Sequence, residues 1–380
     1  MRVIDTEKLP IKLWLSDIED GALAQARNLA NLPFAYKWIA IMPDSHQGYG
    51  MPIGGVMATE GVIVPNAVGV DIGCGMVATR FDLKRIDTDT IKNIMGKIRQ
   101  SIPVGFNHQK ENQIWDGFDI APDIKIIQQE LTSARKQLGT LGGGNHFVEI
   151  QQGDDGFVWV MLHSGSRNFG LKTANEYHNK AKKLCERWQS DIPHQDLSFL
   201  PIETEEGKEY FTAMKYCLDF AQKNRDLMME RIIDILHEET GSEHFEPINI
   251  HHNYAAFEHH YGKDVLVHRK GATKATTGLK GIIPGSMGTS SYIVEGLGNP
   301  ESFMSCSHGA GRAMGRKEAK NKLSLEEEQE KMRGIVHGLR TAKELDEAPG
   351  AYKDIDAVME NQKDLVKIVV KLKPLGVIKG

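Results

Sequence analysis

The sequence has few cysteines, no excess of basic residues and no long apolar run, and each shortage excludes a class of protein. Only four cysteines occur in 380 residues and none forms a CxxC pair, which excludes a disulfide-rich secreted scaffold. The formal net charge of -5 confines any nucleic acid to a local basic groove. No apolar stretch approaches the roughly 20 residues of a membrane helix, and no secretory signal opens the chain. We therefore expect a cytoplasmic protein without a membrane partner.

The usual nucleotide-binding fingerprints are also missing. The chain contains no GxxxxGK[ST] loop and no GxGxxG between a strand and a helix. A bound nucleotide must therefore be held by some other device.

Strand-like and helix-like segments are mixed along the chain. The β-branched, glycine-punctuated stretch 53–80 predicts strands with tight turns, and 157–163 and 265–272 predict buried strands. Apolar residues at helical spacing predict helices over 173–189, 205–238 and 324–345. Because no regular βαβα repeat appears, we predict an α+β fold rather than a doubly wound sheet.

Histidine is abundant, and its placement is more informative than its number. Several of the 15 histidines end apolar strands or stand beside glycines, namely His46, His146, His163, His252 and His308. Glycine lets a ligand approach closely, so these histidines are candidate metal ligands, bases or nucleophiles. His251 and His252 are adjacent and would point to opposite faces of a strand, so we expect only His252 to enter a shared site.

A candidate metal motif lies in GVDIGCGM, where Asp71 and Cys74 are three residues apart. A carboxylate and a thiolate in this turn could reach one ion, and a thiolate can bridge two. Combined with histidines, such a set suits manganese, zinc, cobalt or iron(II) better than magnesium or calcium. From this motif alone, a tight turn with a buried thiol is an equally good interpretation.

Polar loops with basic residues indicate a phosphate-bearing substrate. SCSHGAGR places His308 among small residues before Arg312, and backbone N–H groups there could cradle phosphate. HSGSR carries Arg167, and HRKGATK carries Arg269 and Lys270. These loops do not specify which phosphate compound binds.

Read together, the motifs resemble the RtcB family of RNA-splicing ligases from near the start of the chain to its last residue. The matching segments are MPDSHQGYG, GVDIGCGM, LGTLGGGNHFVEI, MLHSGSR, HHNYA, RKGA, IPGSMG, SCSHGAGR, AYKDIDAVM and VIKG. The resemblance implies one α+β domain over residues 1–380, with central sheets wrapped by helices. It also implies an RNA ligase that uses GTP and Mn²⁺ to join 2′,3′-cyclic phosphate or 3′-phosphate ends to 5′-hydroxyl ends. The need for an accessory activator protein stays open.

The resemblance also implies roles for individual residues. His308 would be the nucleophile that forms a histidine–GMP intermediate, and Asp44 would hydrogen-bond the far nitrogen of its imidazole. Cys74 would bridge two metals, with Asp71 and His146 completing the first site and His163 and His252 the second. The implied guanine-nucleotide contacts are Asn145, Glu149, Ser286, His308, Gly309, Ala310, Gly311, Tyr352 and Lys379. The candidate RNA-phosphate contacts are Arg167, Arg269, Lys270 and Arg312.

Two other functions are compatible with parts of this pattern. A dinuclear metallophosphoesterase acting on RNA ends would need the metal ligands but not His308, Tyr352 or Lys379. A non-catalytic RNA-binding protein would need neither set. Covalent labelling by GTP distinguishes the ligase from both.

Overall fold

Strands and helices alternate irregularly along the chain, and the computed structural model describes residues 1–380. The strands are β1 (Arg2–Ile4), β2 (Ile11–Leu13), β3 (Ala35–Tyr49), β4 (Met51–Thr59), β5 (Val62–Ile63), β6 (Gly75–Arg80), β7 (Phe147–Gly153), β8 (Val158–Ser164), β9 (Leu200–Pro201), β10 (Ile248–His251), β11 (Asn253–His260), β12 (Lys263–Lys270), β13 (Ala272–Lys274), β14 (Lys280–Ile283), β15 (Ser291–Gly296), β16 (Ser305–Ser307) and β17 (Val366–Lys379). The α-helices are α1 (Asp20–Ala30), α2 (Pro65–Val68), α3 (Thr88–Ser101), α4 (Lys125–Gln137), α5 (Arg167–Arg187), α6 (Glu205–Thr240), α7 (Arg316–Lys322), α8 (Leu325–Lys331) and α9 (Ile355–Glu360).

Two large sheets contain most of the strands. One has six strands in the order β1-β2-β3-β4-β12-β11, and the other has seven in the order β10-β6-β8-β7-β17-β15-β14. Pairing is antiparallel throughout both sheets except between β2 and β3. Helix α1 packs against the six-stranded sheet, and α3 and α6 pack against the seven-stranded sheet. This arrangement confirms the predicted α+β class.

The long helix α6 confirms the prediction over 205–238 and supports the centre of the molecule. It begins after Thr204, whose hydroxyl accepts a hydrogen bond from the N–H of Gly207 at 3.2 Å. Its apolar face is buried in two hydrophobic clusters. Two polar residues on this helix, Asn224 and Arg225, are also fully buried. Buried polar groups need partners, and theirs lie in the loops that carry the candidate site.

The predicted helix over 324–345 is wrong in extent. Helix α8 ends at Lys331, and the rest of the predicted range contains only the start of a 3₁₀-helix at Ala342–Glu347. Gly334 adopts φ +85°, which a right-handed helix cannot accommodate, and the chain turns there. The turn lets Met332, Leu339 and Leu345 bury their side chains in one cluster. No helix in the chain has both the length and the apolar character needed to cross a membrane.

Candidate active site

Five potential metal ligands meet at one end of the seven-stranded sheet. The neighbouring strands β6, β7, β8 and β10 all have an end there, and Met76 and Phe147 both pair with His163. The Cys74 Sγ lies 3.2 Å from the His163 Nε2 and 3.5 Å from the His146 Nε2. The His163 Nε2 is 3.3 Å from the His252 Nε2, and the His146 Nε2 is 3.2 Å from the Asp71 Oδ2. Antiparallel pairing therefore collects residues that are far apart in sequence.

Backbone carbonyls orient two of these imidazoles. The Nδ1 of His146 lies 3.0 Å from the Leu141 carbonyl oxygen, and the Nδ1 of His163 lies 3.1 Å from that of Asn145. A proton on each Nδ1 leaves the Nε2 lone pair directed into the cluster, as metal-binding histidines require. His251 points away from the cluster, and its Nδ1 lies 3.0 Å from the Arg225 guanidinium. The adjacent residue, His252, is the one that enters the cluster, as predicted.

The chemistry of the cluster fits a pair of cations. Two groups of three ligand atoms, each group within 4.8 Å, share Cys74: one with Asp71 and His146, the other with His163 and His252. Burial lowers the pKa of His163 and His252, so both imidazoles are neutral. Burial, reinforced by the Asp71 charge, raises the pKa of Cys74, so a cation must displace the thiol proton. The buried Asp71 Oδ1 and His252 Nδ1 have no hydrogen-bond partner.

His308 stands beside this cluster and is held from behind by Asp44. Its Nδ1 lies 2.6 Å from the Asp44 Oδ2, which also accepts the His308 backbone N–H at 3.0 Å. The Asp44 side chain is completely buried, and the His308 ring centroid lies 4.8 Å from that of His252. A β-carbon on Gly311 would lie 2.0 Å from the Asp44 carbonyl oxygen, so only glycine permits this close approach. The His308 Nε2 is therefore the free nitrogen.

A cavity of about 240 Å³, hereafter the His308 cavity, lies in front of this imidazole. It also reaches Asp71, Cys74, His163 and His252. All the other predicted nucleotide contacts line it, namely Asn145, Glu149, Ser286, Gly309, Ala310, Gly311, Tyr352 and Lys379. The structure thus brings the predicted metal, nucleophile and nucleotide residues into one place.

Comparison with known proteins agrees with this geometry. Residues 25–380 match the family model described as tRNA-splicing ligase RtcB. The chain belongs to the RtcB family. It is 40% identical to the RNA-splicing ligase RtcB of Escherichia coli (strain K12), over 100% of this chain and 99% of that protein. It is 32% identical to the tRNA-splicing ligase RtcB of Pyrobaculum aerophilum, over 98% and 95% of the two chains.

In this RtcB family member, a buried glutamate that the sequence did not indicate connects the predicted nucleotide contacts. The Glu347 carboxylate accepts a hydrogen bond from the Tyr352 hydroxyl and lies 3.2 Å from the Lys379 Nζ. Arg312 and Arg316 pair with the same carboxylate at 3.3 and 2.7 Å. Burial would raise the pKa of Glu347, but the charges of Lys379 and Arg316 outweigh burial and lower it. No motif surrounds Glu347 in the sequence, so only the contacts reveal it.

Glu149 has the opposite electrostatic environment. Burial raises its pKa to about 8, although the Lys379 charge and a hydrogen bond from the Gln151 amide act in the other direction. That hydrogen bond is 2.6 Å long. In the free protein, Glu149 therefore holds a proton at neutral pH.

The candidate RNA-phosphate residues differ in how far they can reach a ligand. Arg312 lines the His308 cavity, and its guanidinium is also bonded to the Asp346 carbonyl oxygen at 2.6 Å. The Arg167 Nε donates to the Thr140 hydroxyl at 3.0 Å and its Nη2 to the Gly105 carbonyl oxygen at 2.6 Å. The Arg167 Nη1 has no hydrogen-bond partner and lies close to Gly142.

Arg269 and Lys270 do not have the positions predicted for RNA contacts, because β12 lies inside the six-stranded sheet. Arg269 is 0% exposed and bonded to both carboxylate oxygens of Glu258, at 2.6 and 3.0 Å. The Lys270 Nζ donates to the carbonyl oxygens of Tyr49 and Asn66, and burial lowers its pKa to about 7. Both side chains are buried and hydrogen-bonded within the protein, so neither is exposed to contact an RNA phosphate.

Proposed function

We propose that the protein is a GTP- and manganese-dependent RNA ligase, folded as one domain over residues 1–380 and active in the cytoplasm. It joins RNA ends bearing a 2′,3′-cyclic phosphate or a 3′-phosphate to ends bearing a 5′-hydroxyl, in RNA repair or tRNA splicing. The observation that carries the proposal is the free Nε2 of His308, held by a buried carboxylate beside a cluster of metal ligands. Family membership supports the reaction class.

His308 acts as the nucleophile in this proposal. The Asp44 carboxylate accepts a hydrogen bond from the Nδ1–H, which keeps the lone pair on Nε2 and stabilises the positive charge that develops on the ring. The Nε2 forms a bond to the α-phosphorus of GTP, and the bond to pyrophosphate breaks. A 2′,3′-cyclic phosphate is first opened by water, which adds at phosphorus while the bond to the 2′-oxygen breaks. GMP then passes to the RNA 3′-phosphate, giving an anhydride, and the P–N bond to His308 breaks. The 5′-hydroxyl finally displaces GMP. GMP is a far better leaving group than the oxide ion that would have to leave an unactivated 3′-phosphate.

The ligand cluster fits the two Mn²⁺ ions that the proposal requires. Asp71, Cys74 and His146 would hold one ion, and Cys74, His163 and His252 the other. When bound, such ions neutralise phosphate charge and activate phosphorus toward in-line displacement. The protein's own contribution is to keep the thiol and imidazoles buried and aimed at one point.

The polar end of the His308 cavity supports guanine as the base. Glu149, once deprotonated, can accept hydrogen bonds from the two N–H groups on the guanine edge, and the Lys379 ammonium can donate to its carbonyl oxygen. Adenine has a ring nitrogen without a proton and an amino group at the matching positions, so its edge would offer Glu149 fewer donors and Lys379 no acceptor. The Gly309–Ala310–Gly311 loop lets the backbone lie close to the nucleotide.

The decisive experiment is incubation of the purified protein with α-labelled GTP and Mn²⁺, followed by denaturing electrophoresis. We expect label on the protein that is stable in alkali and lost in acid, as a phosphoramidate is. An RNA with a cyclic phosphate end and a 5′-hydroxyl end should then become circular or longer. Absence of label together with opening of the cyclic phosphate would instead indicate a metallophosphoesterase.

A further inference from the structure

A second cavity adjoins the ligand cluster and is lined by none of the predicted nucleotide contacts. It has a volume of about 470 Å³ and shares the lining residue Asp71 with the His308 cavity. His308 lines only the first cavity, whereas Phe106 and Arg167 line only the second, hereafter the Phe106 cavity. Its lining also includes Val70 and Leu171. The Arg167 guanidinium and a group of apolar side chains thus line the same cavity as the predicted metal ligand Asp71.

Phe106 is presented to solvent by a fixed turn. The preceding Gly105 is held on both sides: its N–H donates to the Gly142 carbonyl oxygen at 2.8 Å, and its carbonyl oxygen accepts from Arg167. The turn closes with the N–H of Asn107 bonded to the carbonyl oxygen of Val104 at 3.2 Å. At its apex the Phe106 ring is fully exposed. A backbone pinned on both sides therefore holds a bare aromatic ring at the mouth of a cavity.

The surroundings of this ring favour a nucleobase. Val70 and Leu171, which also line the cavity, are 41% and 39% exposed, so an apolar surface accompanies the ring. The free Nη1 of Arg167 can pair with a phosphate of the same ligand. An aromatic face next to a phosphate-binding cation is the usual means of holding single-stranded nucleic acid.

The proposed reaction decides which RNA strand uses this surface. In ligation the 5′-hydroxyl oxygen forms a bond to the 3′-phosphorus, the bond from that phosphorus to GMP breaks, and the hydroxyl proton passes to solvent. Entering and leaving oxygens lie on opposite sides of phosphorus in an in-line displacement. Asp71 lines both cavities, so if GMP leaves into the His308 cavity, the Phe106 cavity is the available approach for the 5′-hydroxyl.

We propose that Phe106, flanked by Val70 and Leu171, is the stacking platform for the terminal base of the RNA strand that supplies the 5′-hydroxyl. The inference rests on the proposed ligase function. Phe106 is then a positioning residue, which holds the hydroxyl strand while Arg167 binds its first phosphate. It takes no part in formation of the histidine–GMP intermediate.

Fluorescence of 2-aminopurine, whose emission falls when the base stacks, tests this assignment on the full-length protein with Mn²⁺. The probe is a short RNA with a 5′-hydroxyl and 2-aminopurine as its first base. We expect quenching with the wild type, loss of most quenching with Phe106→Ala, and its retention with Phe106→Trp. Removing the ring should weaken binding of this strand roughly tenfold, within the range that base–aromatic stacking contributes. Phe257→Ala, which removes a ring that is 54% exposed outside both cavities, should leave quenching unchanged.

Three outcomes would overturn the platform. The first is unchanged quenching with Phe106→Ala. The second is stronger quenching when 2-aminopurine is the last base of the 3′-phosphate strand. The third is a change of oligomeric state in Phe106→Ala, which would indicate a protein interface. GTP labelling of the same preparations separates this failure from failure of the ligase proposal. Label on wild type and Phe106→Ala without ring-dependent quenching rejects only the platform, whereas no label on either rejects the ligase.

Discussion

The Nδ1 of His308 and the Oδ2 of Asp44 are 2.6 Å apart, although the two residues are 264 positions apart in the chain. The carboxylate is completely buried, and the same oxygen also accepts the His308 backbone N–H. The imidazole is therefore fixed in position and in tautomer before any substrate arrives. Such a pair pre-organises a nucleophile, because no side-chain freedom is lost when the reaction begins.

Replacing the imidazole should abolish covalent labelling without removing the metals. We expect His308→Ala to give no protein-bound GMP, since the nucleophile is gone, and to keep its metal content, since His308 belongs to neither ligand group. Gel labelling and elemental analysis of the same sample measure both. His259→Ala, a change on the exposed surface, serves as the control. Robust labelling of His308→Ala would reject the assigned nucleophile.

Asp44→Asn should retain the fold and lose most of the reaction. An amide can donate a hydrogen bond to Nδ1, which places the proton on Nε2 and removes the free lone pair. The equivalent change behind a catalytic histidine costs about 10⁴-fold in rate, so we expect a loss on the order of 100-fold or more in labelling rate. The exposed Asp264→Asn is the matched control. An unchanged rate would mean that Asp44 only supports the backbone.

Cys74→Ala should lose both metal ions, because the thiolate is common to both ligand groups. We expect metal analysis after dialysis to give close to zero equivalents for this variant and about two for the wild type. Cys217→Ala removes a buried thiol in a hydrophobic cluster outside both cavities and should keep its metals. Full occupancy in Cys74→Ala would refute the shared thiolate.

Glu347→Gln should weaken nucleotide binding without touching the nucleophile. The carboxylate neutralises Lys379 and accepts from the Tyr352 hydroxyl, so its loss frees two predicted nucleotide contacts. We expect the KM for GTP to rise roughly tenfold, about the value of one charge-assisted hydrogen bond, with little change in kcat. The exposed Glu330→Gln is the control. An effect on kcat alone would place Glu347 in the chemistry instead.

The protonation of Glu149 should make stability depend on pH in the metal-free protein. Its pKa is about 8 in the folded chain and near 4.5 when the side chain is solvated. Between these values the folded state holds one more proton than the unfolded state, so this group's contribution to stability is present at low pH and lost as pH rises to about 8. Glu149→Gln should remove that loss, so its Tm relative to the wild type should increase from pH 5 to pH 8. The exposed change Glu246→Gln is the control, and its Tm difference from the wild type should be the same at every pH. A constant Tm difference for Glu149→Gln would mean that the Glu149 carboxyl is ionised throughout this pH range.

Several parts of the molecule could be predicted from sequence because their signals are local. The periodic apolar pattern of 205–238 predicted α6 to within a few residues at its ends. The helix predicted over 324–345 was wrong because periodicity persisted through Gly334, where the chain turns to fill a small apolar cluster. The placement of basic residues was less predictable. The basic motif around Arg269 does not reveal that its strand, β12, lies between β4 and β11 in the sheet.

By itself, the sequence determined the family, the α+β class and the candidate residues for metal, nucleotide and phosphate binding, because each depends on residue type and short spacing. Tertiary structure alone decided which of those residues meet. Antiparallel pairing collected the ligands at one sheet end, burial removed Arg269 and Lys270 from the surface, and packing created the Glu347 contacts. The two cavities that share Asp71 also exist only in the folded chain, because their walls come from segments that are far apart in sequence.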